Sequence, residues 1–386
     1  MYIAILGRQP ALGMAELEQL YGSRHTRWFN DISAVIDHDS FDFERLGGTQ
    51  KAGRVVSQLH GDWRQVSMKL VSAYTHAWST HQGKITLGIS AYGFSKTNPR
   101  DIQKTGIILK TKLKAHGISL RLIPNAEPAL NTATSHHNKL GLSENHVELL
   151  VVRAANGSVI IAESVGAQNI TSLALRDQGR PKRDSFVGML PPKLARLIVN
   201  LAPIDSGRVL DPFCGTGVVL QEAALLGHSV YGTDINEKMV DFTATNLAWL
   251  ADTYRTTIAA TIECGDAMNH QWQPPIDAIA CEAYLGQPFS APPSPAKLTE
   301  VRGNCNHIIS DFLKNIAPQL ATGTPLCIAI PAWRDTTGAF THLPLVESVG
   351  SLGYERITLT HVRNEQLLYY REDQVVAREL LLLKKH

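Results

Sequence analysis

The chain has 386 residues, which is long enough for two or three domains that each bury a core of their own. A hydrophobic content of 44%, a mean hydropathy of −0.08 and the absence of a long apolar run or a cleavable leader exclude a membrane protein, so we expect a cytoplasmic one. The net charge of +2 hides an asymmetry, because residues 1–190 hold 22 Lys and Arg against 15 Asp and Glu, whereas residues 191–386 hold 15 against 20. Such a split predicts that the first half meets a polyanion, unless it is a chance fluctuation of surface charge.

The first 90 residues predict a small α+β arrangement. A strand over residues 3–6, a helix over 11–20 and a returning strand over 33–36 form a strand-helix-strand unit. A helix around residues 68–71 and an alternating strand over 84–90 follow.

A basic segment over residues 94–121 is the most informative part of this half. Asn98 can cap a helix with Pro99 at its first position, and Gly117 is a natural stop. A solvated helix face usually mixes charges of both signs, so a stripe of one sign favours contact with phosphates, although a face kept for solubility is the alternative. The predicted RNA-binding residues of this segment are Lys96, Arg100, Lys104, Lys110, Lys112 and Lys114.

The segment between the two halves begins with a hairpin and continues as a polar linker. Residues 148–153 and 159–163 predict two strands around an Asn156-Gly157 turn. Residues 172–184 then form the predicted linker, and Pro191-Pro192 starts a helix. The linker carries four further cations predicted to bind RNA, namely Arg176, Arg180, Lys182 and Arg183.

A glycine turn over residues 211–217, Asp-Pro-Phe-Cys-Gly-Thr-Gly, joins a short strand to a helix and predicts a site for a nucleotide-like cofactor. Asp234 ends the next strand at the distance typical of a carboxylate that holds ribose hydroxyls. Leu220 replaces the third glycine of a dinucleotide site, and no Lys-Ser/Thr pair follows to bind phosphate, which suits an uncharged adenosine that carries a sulfonium. The sequence here resembles an S-adenosylmethionine-dependent methyltransferase. An ordinary loop with glycines for packing is the alternative.

The rest of the chain alternates predicted strands and helices, which indicates a parallel sheet covered by helices. Predicted helices cover residues 236–250 and 305–320, and predicted strands cover 257–262, 277–281 and 326–330. A hairpin over residues 354–360 and 375–382 completes the predicted sheet.

Taken together, these motifs resemble one family over nearly the whole chain. The Gly-Gly-Thr at 47–49, the Asn156-Gly157 hairpin, the phrase from Arg176 through Gly188-Met189-Leu190-Pro191-Pro192 to Ala195, and the glycine turn occur in the order of a THUMP-domain tRNA guanosine-10 N2-methyltransferase. The resemblance implies an α/β fold: a Rossmann-like seven-stranded methyltransferase sheet, mostly parallel with an antiparallel C-terminal hairpin, after α+β ferredoxin-like and THUMP domains. The implied domains are a ferredoxin-like unit at 1–60, a THUMP domain at 61–170, a basic linker at 171–187 and the methyltransferase domain at 188–386.

The same resemblance implies the roles of individual residues. Glu282 would accept hydrogen bonds from the exocyclic amine of a guanosine, and Tyr284 would stack on the base. The chain departs from the usual pattern, because Ala283 stands where a proline is expected and one residue is missing before Tyr284. The predicted cofactor-binding residues are Asp211, Pro212, Phe213, Gly215, Thr216, Gly217, Asp234, Ile235, Asp266 and Ala267.

The implied cofactor is S-adenosylmethionine and the implied partner is tRNA, bound by a monomer with no membrane and no metal. The five cysteines form no C-x-x-C pair, which indicates scattered thiols in a reducing compartment rather than zinc ligands or disulfides. Two other interpretations stay open: an amino-methyltransferase acting on rRNA or DNA, and a tRNA-binding protein whose catalytic loop has decayed. The target position, the number of methyl groups and the need for an activator subunit are also open.

Overall fold

The computed structural model describes residues 1–184 and 190–386. Two compact units divide the chain: the first comprises residues 1–10, 24–44 and 49–172, and the second comprises 11–23, 45–48 and 173–386. Gly188 and Met189 of the predicted linker phrase lie outside the described residues. The bounds of the units differ from the boundaries predicted at 60, 170 and 187. The strands before residue 60 share one sheet with strands of residues 84–167, whereas residues 11–23 and 45–48 belong to the second unit.

An eight-stranded mixed sheet forms the first unit, in the order β2-β3-β1-β4-β8-β7-β5-β6. Its strands are β1 (Tyr2–Leu6), β2 (Thr26–Asn30), β3 (Ser33–Ile36), β4 (Thr49–His60), β5 (Lys84–Tyr92), β6 (Ser119–Leu122), β7 (His146–Arg153) and β8 (Ser158–Ala167). The predicted hairpin is present, since β7 and β8 pair antiparallel with Arg153 opposite Val159. Strands β2, β4 and β6 were not predicted.

Two capped helices pack their apolar faces on this sheet. They are α2 (Trp63–Ala77) and α3 (Pro99–Ala115), and a short α4 (Thr132–His137) follows. Asn98 caps α3 as predicted, since its side chain accepts a hydrogen bond from the Asp101 backbone N–H at 3.1 Å. Leu70 of α2 and Leu109 of α3 are buried in one apolar core with residues of β5, β7 and β8. This burial holds the opposite face of α3 toward solvent.

The second unit is built on a nine-stranded sheet with the main path β11-β10-β9-β12-β13-β17-β15. Its strands are β9 (Arg208–Asp211), β10 (Ser229–Asp234), β11 (Ala260–Cys264), β12 (Ala278–Glu282), β13 (Pro325–Arg334), β14 (Phe340–Thr341), β15 (Tyr354–Arg356), β16 (Leu368–Tyr369) and β17 (Val376–Lys385). Strands β9 to β13 run parallel, and β17 is antiparallel to both β13 and β15. The predicted seven-stranded path with an antiparallel C-terminal pair is therefore present, with β14 and β16 as short additions.

Helices of the second unit are α1 (Pro10–Tyr21), α5 (Ile170–Gln178), α6 (Pro192–Asn200), α7 (Val218–Leu225), α8 (Glu237–Tyr254) and α9 (Pro295–Ile316). The first residue of α1 and the first three of α5 fall in the first unit. Helix α5 corrects the predicted linker, because residues 172–178 are helical. The residue that could have indicated the start of this helix is Asn169. Its side chain accepts a hydrogen bond from the Ser172 N–H at 2.9 Å and so serves as a helix cap.

Strand order in this sheet creates a crevice. The chain proceeds from β9 outward through β10 to β11, then returns to place β12 on the other side of β9. The carboxyl ends of β9 and β12 therefore border a topological switch point, which is the usual ligand position in an open α/β sheet.

Candidate functional site

The glycine turn follows β9 and is tied directly to the acid at the end of β10. Gly215 and Gly217 have φ values of +51° and +80°, a left-handed conformation that favours glycine. The Gly215 N–H donates to Asp234 Oδ2 at 3.0 Å, and the Asn236 N–H donates to Asp234 Oδ1 at 2.9 Å. Both oxygens of Asp234 are thus oriented by backbone donors, and the acid faces the turn as its spacing predicted.

A cavity of about 630 Å³ opens over this turn at the carboxyl ends of the strands. The predicted residues that line it are Asp211, Phe213, Gly215, Thr216, Asp234, Ile235, Asp266, Ala267, Glu282 and Tyr284. Pro212 and Gly217 do not line the cavity, and Gly217 instead caps α7, where an added Cβ would lie 2.9 Å from Thr243 Cγ2. The structure therefore brings ten of the twelve predicted cofactor-binding and catalytic residues around one space.

Several lining residues were not identified from the sequence. They include Leu190, Cys214, Val218, Val219, Asn236, Met239, Met268, Ile308 and residues 285–288. Most are apolar or lie in loops, and such residues carry no motif of their own. Their apolar members give the cavity apolar lining in addition to its carboxylates, as small-molecule sites commonly have.

Negative charge is concentrated in the cavity. Asp211, Asp234, Asp266 and Glu282 line it, whereas no Lys, Arg or His is found among its described lining residues. Burial raises the pKa of Asp211 well above its usual range, and the nearby Asp234 and Glu282 charges raise it further. Burial also raises the pKa of Asp234. Such a site favours a cationic ligand and disfavours a pyrophosphate.

Asp266 lies two residues after β11, so its position depends on a local turn. Its Oδ1 accepts a hydrogen bond from the Met268 backbone N–H at 3.0 Å. The neighbouring Ala267 is buried, and the Asn315 amide of α9 donates to its carbonyl oxygen at 3.1 Å. This turn holds a third carboxylate at the same edge of the sheet as Asp211 and Asp234.

Glu282 ends β12 and forms an ion pair with Arg378 of β17. The Arg378 Nε donates to Glu282 Oε1, and both side chains are largely buried. Since 96 residues separate the partners, no local pattern in the sequence could have indicated the pair.

The loop after Glu282 explains the absence of the expected proline. The Ala283 N–H donates to the Ala329 carbonyl oxygen of β13 at 3.0 Å, a hydrogen bond that a proline could not make. Tyr284 follows with 42% of its surface exposed, and it lines the cavity. The chain then turns at Gly286, where an added Cβ would lie 2.7 Å from Val301 Cγ1 of α9. The aromatic ring is therefore accessible at the edge of the carboxylate cavity.

All six predicted RNA-binding residues around α3 are exposed in the first unit. They are Lys96, Arg100, Lys104, Lys110, Lys112 and Lys114. This unit holds 17 Lys and Arg against 11 Asp and Glu. The first unit therefore has an excess of basic residues, as the first half of the sequence does.

The four cations predicted in the linker have different surroundings. Arg176 is buried, donates through Nε to Glu222 Oε1 at 2.5 Å, and is therefore committed to an interior ion pair. Arg180 is also buried, at 2% exposure, and burial lowers the pKa of its guanidinium. Lys182 is half-buried and Arg183 is exposed. The predicted surface role does not match the positions of Arg176 and Arg180.

Asn246 connects the end of this segment with the glycine turn. Its buried amide donates to the carbonyl oxygens of Lys182 and Thr216, at 2.9 and 2.8 Å, and accepts from the Lys182 N–H at 3.0 Å. The backbone at residue 182 is thereby fixed beside the cavity.

Membrane-spanning character is absent from every helix within residues 1–184 and 190–386. The same described residues contain no group of three or more His, Cys, Asp or Glu side chains placed to hold a metal ion.

Comparison with solved structures identifies the architecture. TrmN from Thermus thermophilus superposes with a TM-score of 0.53 at 18% sequence identity, covering 100% of this chain and 99% of that one. The chain shares the fold of TrmN. At this level of identity the likeness extends to the fold alone.

Sequence comparisons connect the chain with methyltransferases that act on nucleic acids. A family model described as DNA methylase matches residues 134–246. A tRNA (guanine(10)-N2)-dimethyltransferase from Methanothermobacter thermautotrophicus is 34% identical over 162 residues, which cover 41% of this chain and 44% of the relative. Proteins of the same name from Methanocaldococcus jannaschii and Pyrococcus abyssi are 52% and 50% identical over 95 and 102 residues, which cover 27% and 26% of those relatives. The matched region is less than half the length of each of these relatives.

Proposed function

We propose that this chain transfers a methyl group from S-adenosylmethionine to the exocyclic N2 of a guanosine in tRNA, at position 10 as in the names of its relatives. The observation that carries the proposal is the cavity at the switch point, where four carboxylates and an accessible tyrosine surround one space. The chain would work as a cytoplasmic monomer.

The carboxylates of the cavity fit this cofactor. S-adenosylmethionine supplies an electrophilic methyl group on a positively charged sulfonium, which suits a cavity lined by acids. Asp234, oriented by the Gly215 and Asn236 N–H groups, would hold the ribose hydroxyls, and Asp266 would accept from the adenine amine. Phe213, Ile235 and Ala267 would supply apolar contacts, while Asp211 would oppose the positive charge.

Glu282 and Tyr284 would orient the substrate. An exocyclic guanine amine is a weak nucleophile because its lone pair is delocalised into the ring. A carboxylate that accepts from its N–H would fix its orientation and stabilise the positive charge that develops on nitrogen. The exposed ring of Tyr284 would stack on a base flipped out of the RNA.

The first unit would bind the tRNA backbone. Its exposed cations on α3 support this role, since like charges on one face favour phosphate contact. We assign the ferredoxin-like and THUMP domains to the first unit and the methyltransferase domain to the second. Of the linker cations, Lys182 and Arg183 retain the proposed RNA contact.

Nucleoside mass spectrometry tests the activity. Unmodified tRNA incubated with the chain and S-adenosylmethionine should yield N2-methylguanosine, and Glu282→Ala should lower the yield at least about 100-fold, as expected for loss of an electrostatic contact in the transition state. Glu355→Ala, which removes an exposed carboxylate from β15, is the matched control and should leave the yield unchanged. Absence of the product, or equal yields from both variants, would refute the proposal.

A DNA amino-methyltransferase is the second candidate, because the matching family model is described as DNA methylase. Duplex DNA in the same assay decides between them. If adenine or cytosine in DNA is methylated at a higher rate than guanosine in tRNA, that result would favour this candidate.

A further inference from the structure

The two oxygens of the Glu282 carboxylate have different surroundings. Oε1 accepts from Arg378 Nε, whereas Oε2 has no hydrogen-bond partner among residues 1–184 and 190–386. Because Glu282 lines the cavity, its carboxylate is held on one side by the protein and remains open to a bound base on the other.

The sheet fixes this arrangement through strand β13. Glu282 lies opposite Ala329 of β13, and Arg378 of the antiparallel β17 lies opposite Pro331. Residues 329 and 331 are two apart on one strand, so their side chains lie on the same face of the sheet. Arg378 therefore reaches across β13 to Glu282, and the adjacent Glu379 is engaged separately by His342 and Arg356.

An ionised carboxylate has up to about four lone-pair positions and donates no hydrogen bond, whereas an amide offers one acceptor and one donor group. The edge of guanine presents two donors side by side, N1–H and N2–H. Adenine and cytosine each present an amine beside an unprotonated ring nitrogen, which a carboxylate repels. A carboxylate therefore matches guanine, and an amide matches the other two.

We propose that the Arg378–Glu282 pair selects guanine: Glu282 accepts from both N1–H and N2–H of the target base, and Arg378 is the residue that positions the carboxylate for this bidentate contact. The inference rests on the proposed function, and it adds a substrate requirement for N1–H that methyl transfer to an amine does not itself impose.

The first experiment probes this requirement in the unaltered protein. The methylated guanosine is mapped by mass spectrometry, and a ligated tRNA is prepared with 2-aminopurine at that position. 2-Aminopurine keeps the exocyclic amine but replaces N1–H with an acceptor. We expect a kcat/KM about 10- to 100-fold lower than for guanosine, the discrimination typical of one bidentate base contact.

The second experiment uses Glu282→Gln to separate this contact from other effects of the base change. The glutamine amide can accept from the amine and donate to the ring nitrogen of 2-aminopurine. The guanosine to 2-aminopurine ratio should therefore fall at least about tenfold in Glu282→Gln. An unchanged ratio, or a wild-type ratio within about threefold of one, would overturn the proposal.

Two variants of Arg378 test its positioning role. Arg378→Met should lower kcat for guanosine tRNA while the Kd for S-adenosylmethionine stays within about twofold, and Arg378→Lys should recover part of kcat because it restores the opposing charge. Arg356→Met removes another paired arginine from the same sheet and should leave the base ratio unchanged. Equal losses of kcat and cofactor affinity in all three variants would indicate a structural role only and overturn this assignment.

The wild-type product separates the two proposals. Formation of N2-methylguanosine with no preference over 2-aminopurine would refute base selection while the proposed function stands. Methylation of adenine or cytosine in preference to guanine would refute both.

Discussion

Asp211 lies at the end of β9 with 2% of its surface exposed, and burial together with the charges of Asp234 and Glu282 raises its pKa. A polar side chain in such a position lowers the stability of the ligand-free protein, since desolvation disfavours the charged form. The cost is compensated when a cation enters the cavity. Asp211 is thus placed where it favours binding of a cationic ligand and not where it stabilises the folded protein.

This electrostatic arrangement predicts that cofactor binding releases protons. Because the pKa values of Asp211 and Asp234 are raised, these carboxyls take up protons at a higher pH in the ligand-free protein than ordinary Asp side chains do, whereas a cationic ligand binds the ionised form. The affinity for S-adenosylmethionine should therefore rise as the pH rises through these raised pKa values. Calorimetry at pH 5.5, about 7 and about 8, in buffers of different ionisation enthalpy, checks this. An affinity independent of pH, with no buffer dependence of the heat, would contradict it.

At the scale of single elements, buried ion pairs and carboxylates connect α1, α5, α6 and α7 within the second unit. Glu222 of α7 is fully buried and accepts from Arg176 of α5 and from Arg196 of α6 at 2.8 Å. Glu16 of α1 accepts from the Gly47 and Gly48 N–H groups and from the Asn200 amide. These contacts make α1 and α5 parts of the unit that holds the cavity.

Arg176→Met should destabilise the protein because it leaves Glu222 with one of its two described arginine partners. Breaking a buried pair costs about 3–5 kcal/mol, and the remaining Arg196 should limit the loss to about 2–3 kcal/mol. Urea unfolding measures this change. Arg183→Met, which removes an exposed cation five residues beyond helix α5, should change the free energy of unfolding by less than about 0.5 kcal/mol. Equal effects of the two variants would show that Arg176 carries no interior role.

Glu16→Ala should destabilise the second unit although Glu16 lies in the first 20 residues of the chain. The change removes the carboxylate that accepts from the Gly47 N–H, the Gly48 N–H and the Asn200 amide, and leaves that amide its hydrogen bond to the Arg45 carbonyl oxygen. Loss of a buried acceptor of this kind costs about 1–3 kcal/mol. Thermal unfolding monitored by binding of S-adenosylmethionine should show a lower Tm. The exposed Glu127 supplies the control, and a Tm for Glu16→Ala equal to that of Glu127→Ala would contradict the prediction.

At the scale of the whole molecule, the sequence predicted features that depend on neighbours in the chain. The Asn98-Pro99 cap, the Asn156-Gly157 hairpin and the coupling of the glycine turn to Asp234 are local, and each is present. Helix α9 begins at Pro295, ten residues before the predicted start, although Ser294 and Pro295 are a recognisable cap. Strand β4 was missed because its sequence shows no regular alternation of apolar and polar residues, and from Arg54 onward its residues are only exposed or half-buried.

Features that depend on tertiary structure could not be read in this way. The Arg378–Glu282 pair spans three strands, and the interior positions of Arg176 and Arg180 follow from the packing of α5 rather than from its composition. A sequence shows how many cationic side chains a segment has, but not which of them are exposed. Only the fold decides which of them reach a ligand and which are paired inside.

Salt dependence of tRNA binding is the prediction that belongs to the whole molecule. Arg100, Lys104 and Lys114 lie on the side of α3 opposite the buried Ile102, Leu109 and Leu113, so they can contact phosphates together. Replacing Lys104 and Lys114 with Gln should reduce the slope of log K against log salt by about 0.7–0.9 for each phosphate that the protein no longer neutralises. KM for tRNA should rise while kcat at saturating tRNA is unchanged, because neither lysine lines the cavity. Filter binding at several salt concentrations measures the slope, with Arg371→Gln in the second unit as control. A slope equal to that of the control would place the RNA on another surface.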